Sequence, residues 1–395
     1  MQLTERDRKY IWHPFTPQKN MAIPIPIVKG KGTLLYDNKG NAYVDAISSW
    51  WVTLHGHAHP HIAKKLYEQA LTLEQVIFAG FTHQPAIDLA ERLINLLPGG
   101  FSKIFYSDNG STSTEVALKM AIQYWWNQHK EISNKKQCSR NKILAFKDSY
   151  HGDTFGAMSV SDRSVFTLAF HDLLFEVIFI DIPAEDNIED IKAIIHKHAG
   201  EIAAFIYEPL VQGAGGMKMY DIHLMNELLN TVQKHDIICI ADEVMTGFGR
   251  TGKFFASEYM HKKPDIICLS KGLTGGYMPL GVTSCTENIY NAYLSEDKTK
   301  TFFHGHSFTA NPLACTAALA SMDLLGQSYT IEAIEWLTKE NNNFREQLIN
   351  EYHSICRNVR CLGTILAFEI ALGKDEYLNN ISTVITEKAL SKGVY

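Results

Sequence analysis

The residues able to do chemistry sit at the ends of apolar runs. The run Ile237–Val244 carries Asp242-Glu243 near its end, and Met-Thr-Gly-Phe-Gly-Arg-Thr-Gly follows Val244. In open α/β sheets ligands bind beyond the carboxyl ends of the strands, which places Asp242 where a ligand would sit. A carboxylate there is costly unless a cation or hydrogen-bond donors meet it. Capping of the following turn is the simpler reading of the same residue. The next run, Asp265–Leu273, contains Ser270-Lys271-Gly272. Lysine is almost never fully buried unless paired. Lys271 is therefore either a surface residue at a strand exit or an amine of depressed pKa that condenses with a carbonyl.

On consecutive strands, Asp242 and Lys271 can face one ligand. An acid for a ring nitrogen and a lysine for an aldehyde are what pyridoxal phosphate requires. A phosphate site should accompany them. Asn109-Gly110-Ser111-Thr112-Ser113-Thr114 lies between a strand and a helix. Gly110 permits close backbone approach, and the hydroxyls and N–H groups of a helix start can hold an anion. Ordinary capping by Ser or Thr explains the same residues and is compatible with that role. Tyr150-His151-Gly152-Asp153 follows another strand, where an aromatic can stack on a planar ring, although a lone aromatic is more often core. Glu208-Pro209 ends a further strand and can approach the same place.

Two patterns point elsewhere. Gly247-x-Gly249-x-x-Gly252 has the dinucleotide-binding spacing and is the sole basis for a nicotinamide-dependent oxidoreductase. Asp242 and Glu243 would repel a pyrophosphate there, Lys253–Lys263 is not a clean apolar helix, and no acid falls at the ribose distance. His55, His57, His59 and His61 alternate, and His304 and His306 flank Gly305, which invites a zinc site. The first run contains Gly and Pro and reads as a loop, with no cysteine or carboxylate spaced to complete a site. Solvated loop histidines and no metal are expected.

These residues need strands and helices to position them. The β-like runs are Lys103–Asn109, Lys142–Tyr150, Phe175–Asp181, Ala203–Leu210, Ile237–Val244, Asp265–Leu273 and Leu280–Thr286. Several are almost continuously apolar, as in strands buried on both faces. Between them Ser111–His129 places Val116, Met120, Ala121, Tyr124 and Trp125 on one helical stripe, and Asp221–His235 and Ile188–His198 behave alike. Strand–helix alternation predicts an α/β fold with a mostly parallel sheet covered on both sides. The ends differ. Residues 1–50 hold short extended pieces, Pro24, Pro26 and a hairpin-like Asp37-Asn38-Lys39-Gly40 turn. From about residue 328 a long polar amphipathic helix is expected, then a strand over Leu362–Ala371 and another helix. Termini often lie close in space, so residues 1–50 and 328–395 are expected to form one smaller α+β domain beside a large domain of residues 51–327.

Composition agrees. Of 395 residues 46% are apolar and 20% charged, enough for a large core. With 37 basic against 43 acidic residues the net charge is −6, unlike a binder of phosphate backbones. No apolar run approaches membrane-spanning length, and the charged N-terminus is not a secretory signal. The seven scattered cysteines, without a C-x-x-C, suit reduced thiols in the cytoplasm.

The chain resembles the class III pyridoxal-phosphate aminotransferases, whose fold is that of aspartate aminotransferase (fold-type I). The resemblance rests on Gly110-Ser111, Tyr150-His151-Gly152, Asp242-Glu243-Val244 with Gly247-Phe248-Gly249-Arg250-Thr251-Gly252, and Ser270-Lys271-Gly272, and it runs over nearly the whole chain. It implies a mostly parallel seven-stranded sheet in the large domain. It also implies that Lys271 forms a Schiff base with the cofactor, that Asp242 pairs with the ring nitrogen, and that Tyr150 stacks near the ring. Gly110 and Ser111 bind the phosphate, joined across a homodimer interface by His306 and Ser307, while His151, Glu208 and Val244 complete the cofactor set. Further marks resemble the members that act in biotin synthesis: Trp12-His13-Pro14-Phe15, Ser48-Ser49-Trp50-Trp51, Asp153-Thr154-Phe155-Gly156-Ala157-Met158-Ser159, and His304-Gly305-His306-Ser307-Phe308 with Asn311-Pro312-Leu313-Ala314-Cys315. That likeness implies transfer of an amino group from S-adenosylmethionine, or lysine, to 8-amino-7-oxononanoate in a ping-pong cycle. Trp50, Trp51, Gly305, Asp153 and Phe15 would join Tyr150 and Lys271 at the substrate.

Two positions depart from that pattern. Phe15 stands where the family often has a tyrosine whose hydroxyl faces the substrate. The family also has a carboxylate-binding arginine after the segment that is here Lys392-Gly393-Val394-Tyr395, so the chain is expected to continue past Tyr395, following a helix over Glu387–Lys392. The nearest alternative is another class III enzyme acting on ornithine- or 4-aminobutyrate-like ω-amines, against which the Trp pair speaks. A non-catalytic relative has no support, since both Lys271 and Asp242 are present.

Overall fold

A computed structural model describes residues 3–128, 140–371 and 380–395. Its strands in chain order are β1 (Ile27–Lys31), β2 (Leu34–Asp37), β3 (Ala42–Val44), β4 (Phe101–Ser107), β5 (Lys142–Phe146), β6 (Val177–Ile180) and β7 (Ile202–Tyr207). There follow β8 (Val211–Gln212), β9 (Lys218–Met219), β10 (Ile238–Asp242), β11 (Ile266–Leu269), β12 (Gly281–Thr286), β13 (Cys356–Leu362) and β14 (Ile365–Ile370).

All seven apolar runs become strands of one sheet, in the order β4-β12-β11-β10-β7-β5-β6. β12 alone runs antiparallel to its neighbours. Every residue of β7, β10 and β11 is buried, which is why these strands read as unbroken apolar runs rather than alternating ones. The pleat divides them between two layers. Phe205, Tyr207, Ala241 and Ile267 face one apolar cluster; Ile206, Ile240, Ile266 and Cys268 face the other.

Helices cover both layers. The Gly110–Gln128 helix seats Val116, Ala117, Met120 and Ala121 against Ile143 and Ala145. His129, expected as its last residue, lies outside the described residues. Ile188–His198 and Ile222–Lys234 bury Ile195, Leu228 and Val232 on the opposite face, and Asp221 caps the latter by accepting from the backbone N–H groups of His223 and Leu224. Helices Pro60–Ala70, Gln84–Leu96 and Pro312–Leu325 add to those expected; each has proline in its first turn after a His or Asn cap.

At the N-terminal end β1, β2 and β3 form a small antiparallel sheet. Asp37 closes the expected hairpin turn by accepting from the N–H groups of Lys39 and Asn41. At the other end the helix Ser328–Glu351 is followed by a hairpin of β13 and β14, not by the single strand expected over Leu362–Ala371. Arg357, Asn358 and Arg360 make β13 look polar, and Gly363 at φ +59° makes the turn. The last helix, Asn380–Ser391, starts earlier than the expected Glu387. Gly393 then takes φ +73°, and the chain pairs with β3: Val44 N–H donates to the Gly393 carbonyl at 2.7 Å and Tyr395 N–H to the Val44 carbonyl at 2.9 Å.

Candidate active site

The carboxyl ends of β4, β5, β7, β10 and β11 open on one cleft of about 420 Å³. Each strand delivers its expected residues there. After β4 comes the start of the Gly110–Gln128 helix, with Gly110 and Ser111 on the cleft wall. A Cβ on Gly110 would lie 2.8 Å from Val244 Cγ1, so only glycine lets the segment after β10 pack against the helix start. After β5 come Tyr150, His151 and Asp153. Asp153 N–H donates to Ser111 Oγ at 3.1 Å, and Gly152, at φ +128°, has no room for a Cβ beside Ser111. Burial, and then Asp153, raise the Tyr150 phenol above its ordinary range.

Asp242 ends β10 and is buried. Its Oδ1 accepts from Val244 N–H at 3.0 Å, and its Oδ2 lies 2.7 Å from His151 Nδ1. The His151 Nε2 is buried with no protein partner, a spare polar atom at the base of the cleft. Glu208, just past β7, accepts from the N–H groups of Tyr150 at 3.0 Å and Gly213 at 2.8 Å. Burial, with Asp242 beside it, pushes its carboxyl up to about 7, against His151 and these two bonds.

Lys271 lies beyond the end of β11 rather than within the strand, as the first residue of a short 3₁₀ turn at φ +43°. Burial lowers its pKa, and Arg250 lowers it further, while Asp242 and Glu208 oppose them. Its Nζ stands 4.8 Å from the centroid of the Trp51 ring.

Trp51 reaches that place on an unusual backbone. Ser48, Ser49, Trp50 and Trp51 have φ of 49°, 47°, 62° and 66°, one turn of left-handed helix without a glycine. Each L-residue so placed costs about 1–2 kcal/mol. Trp51 N–H donates to the Ile47 carbonyl and Val52 N–H to the Ser48 carbonyl, both at 3.0 Å. Arg250, which the sequence offered only as part of a motif, is the functional candidate that reading missed. It is mostly buried, its Nη2 donates to the Trp51 carbonyl at 3.0 Å, its Nε has no protein partner, and burial pulls its pKa down to about 10. An arginine among glycines just past a strand end was the available signal.

Trp50 and Phe15 pack edge to face at 5.7 Å, with Phe166 against Phe15 at 5.9 Å, and neither lines the cleft of a single chain. Gly305, His306 and Ser307 also lie away from it. His306 N–H donates to Thr309 Oγ1 at 3.0 Å, and the Ser307 carbonyl accepts from Gln75 Nε2.

The glycines 247–252 open no helix; the next element is the 3₁₀ turn Ala256–Tyr259. Glu243 is buried and accepts from Ala256 N–H, Ser257 N–H and Thr246 Oγ1. A Cβ on Gly249 would meet Ile334 at 2.7 Å, so this glycine serves the approach of the Ser328–Glu351 helix. The alternating histidines are not solvated loop residues as expected. His55 Nε2 pairs with Ser321 Oγ at 3.0 Å, His57 with Asp45 at 2.8 Å and His61 with Asp323 at 3.2 Å, while His59 caps a helix. Among the described residues no group of three His, Cys, Asp or Glu is arranged for a metal.

Comparison with known proteins agrees with this geometry. The family described as Aminotransferase class-III matches residues 15–395. An adenosylmethionine-8-amino-7-oxononanoate aminotransferase from Synechococcus elongatus is 45% identical, over 98% of this chain and 90% of its own. A protein of the same name from Helicobacter pylori is 38% identical over 99% and 90%. The crystal structure of an enzyme of that name from Methanocaldococcus jannaschii superposes with a TM-score of 0.93 at 35% identity, covering 100% of this chain and 91% of the other. The omega transaminase from Pseudomonas jessenii in complex with PMP gives 0.91 at 25% identity, covering 100% and 90%.

Proposed function

The chain belongs to the class III aminotransferases, and from that premise we propose that it converts 8-amino-7-oxononanoate to 7,8-diaminononanoate in biotin biosynthesis, with S-adenosylmethionine as amino donor and two half-reactions in a ping-pong cycle. The observation that carries this reading is the convergence of Lys271 and Asp242 on one cleft with Trp51 over the amine, in a chain whose relatives at 38% and 45% identity carry that substrate in their names.

The cofactor is proposed to be pyridoxal phosphate, and the residues present fit it. An anion suits the helix start at Gly110 and Ser111, a fixed carboxylate, Asp242, lines the same cleft, and the unpartnered His151 Nε2 leaves a polar atom for a ligand. When bound, the cofactor supplies an electron sink for the substrate's Cα–H bond. Asp242, held by Val244 and His151, favours a protonated ring nitrogen. Lys271 Nζ is the amine that anchors the cofactor. As a free amine it would be the base placed to take the Cα proton, a role its lowered pKa favours. Tyr150 lines the cleft where it would lie against the ring, and Trp51 lines the side nearest the amine.

Phe15, Trp50 and Asp153 are read as substrate contacts. Gly305, with His306 and Ser307, is read as reaching the site from a second copy of the chain, a homodimer. Residues 51–327 are taken as the cofactor-binding domain, and 1–50 with 328–395 as one smaller domain, a division supported by the pairing of Val394 with Val44. A cytoplasmic location fits the free cysteines among the described residues. Separately, none of the described helices is long and apolar enough to cross a membrane.

The test is a set of half-reaction spectra with S-adenosylmethionine, lysine, ornithine and 4-aminobutyrate as donors, followed by 8-amino-7-oxononanoate as acceptor. Conversion of the acceptor with S-adenosylmethionine supports the reading; turnover confined to the ω-amines overturns it.

A further inference from the structure

The left-handed turn Ser48–Trp51 is strained at every residue, so something outside it must hold it. The holding groups are Asp45 and His57. Asp45 is buried and its carboxylate is fully engaged: Oδ1 accepts from Ser49 N–H at 2.9 Å, and Oδ2 accepts from Ser49 Oγ at 2.7 Å and from His57 Nε2 at 2.8 Å. His57 is a strut rather than a loop side chain. Its backbone exchanges two hydrogen bonds with Gly32, at 2.7 and 3.2 Å, and a Cβ on Gly30 would lie only 2.6 Å from its own Cβ. At its far end the turn leads into a segment seated on the loop that carries Lys271. A Cβ on Gly272 would meet Leu54 at 2.9 Å, and one on Gly276 would meet Thr53 at 3.1 Å. Neither Asp45 nor His57 lines the cleft.

We propose that Asp45 and His57 latch this left-handed turn and are positioning residues for amino-group transfer, holding Trp51 against Lys271. The proposal rests on reading the cleft as an aminotransferase site. Asp45 orients Ser49, Ser49 fixes the hand of the turn, and the turn sets the place of Trp51. Loss of the latch lets residues 48–51 relax to right-handed backbone, which removes Trp51 from the amine.

The experiment compares the holoenzyme with Asp45→Asn, His57→Leu and His57→Gln, the last keeping a donor for Asp45. Amide hydrogen exchange at Trp51 and Val52 reads the turn, and KM against kcat reads the site. Asp45→Asn and His57→Leu are expected to speed exchange about tenfold and to raise KM about tenfold with kcat changed less, the loss of one strong hydrogen bond. His57→Gln is expected to stay near the wild type. Adding Ser48→Gly to Asp45→Asn is expected to restore both readouts, because glycine takes positive φ without strain. The latch is overturned if both readouts stay within twofold of wild type in Asp45→Asn and His57→Leu. It is equally overturned if the losses occur but neither His57→Gln nor Ser48→Gly recovers them, the signature of a general folding defect. Exchange is read whether or not the protein turns over. A wild type that is inactive on the proposed substrates, with the exchange response intact, sinks the functional reading and leaves the latch of the turn standing.

Discussion

His151 Nδ1 lies 2.7 Å from Asp242 Oδ2, with the imidazole side chain fully buried, and Val244 N–H holds the other oxygen at 3.0 Å. The carboxylate is thus fixed before any ligand arrives. Asp242→Asn keeps the shape but removes the charge, and its amide N–H can donate to His151 Nδ1 when the ring proton sits on Nε2. Turnover is expected to fall on the order of 100-fold or more, the scale of losing one preorganised charge in a dry site, with weaker cofactor binding. Single-turnover rates check this; near-normal rates would mean that another group meets the ring nitrogen.

Lys271→Ala should abolish both turnover and the visible absorbance of lysine-bound cofactor, without destabilising the fold. The lysine's folded pKa is lowered from 10.5, with burial as its largest cause. The unfolded chain therefore binds the proton more tightly, and the amine opposes folding at neutral pH, less so as pH rises toward 10.5. Removing it leaves no new closed cavity, because the side chain borders an open cleft. Melting of the cofactor-free protein at pH 7 is expected at or above the wild-type temperature, with the difference shrinking near pH 10. A clear loss of stability would contradict the sign of the shift.

Glu208 works in the opposite pH range. Its carboxyl is raised from 4.5 to about 7, chiefly by burial. Its contribution is fully present below pH 4.5 and is lost as pH rises through 7. Glu208→Gln forfeits one acceptor for Tyr150 or Gly213, so its stability at any single pH is not diagnostic; its slope is. Between pH 5 and 8 the cofactor-free wild type should lose stability relative to the variant in denaturant titrations. Parallel curves would show that Glu208 titrates normally.

Much of this site was legible in the sequence because it lies at strand ends. Strands buried on both faces leave unbroken apolar runs, and Ser111, Tyr150, Glu208, Asp242 and Lys271 each lie at or just past the end of one. What escaped was set by contacts between distant segments. His55 and His61 looked like loop histidines because their partners Ser321 and Asp323 are more than 250 residues away. The left-handed turn carries no glycine to announce it, and its cause is visible only when Asp45 meets Ser49 and His57 meets Asp45. β13 was hidden by its arginines, which suit a half-exposed strand of a small domain. Arg250 was seen only as part of a motif because its role depends on the Trp51 carbonyl.

Phe15 gives the most direct test of donor choice. It is 56% exposed and packs by its ring on Trp50 and Phe166, so its para position is not enclosed by the core. Phe15→Tyr adds a hydroxyl without changing those ring contacts or the backbone, which is already at φ +51°. If the para position faces the donor, one new hydrogen bond lowers KM for S-adenosylmethionine by about two- to tenfold, the range set by 0.5–1.5 kcal/mol. The kcat of that half-reaction should move less, since the bond forms equally in ground and transition states. The half-reaction with lysine, which lacks the nucleoside, should stay within error of the wild type. An equal effect on both donors would place the hydroxyl against the shared amine end instead, and no effect on either would remove Phe15 from the substrate site.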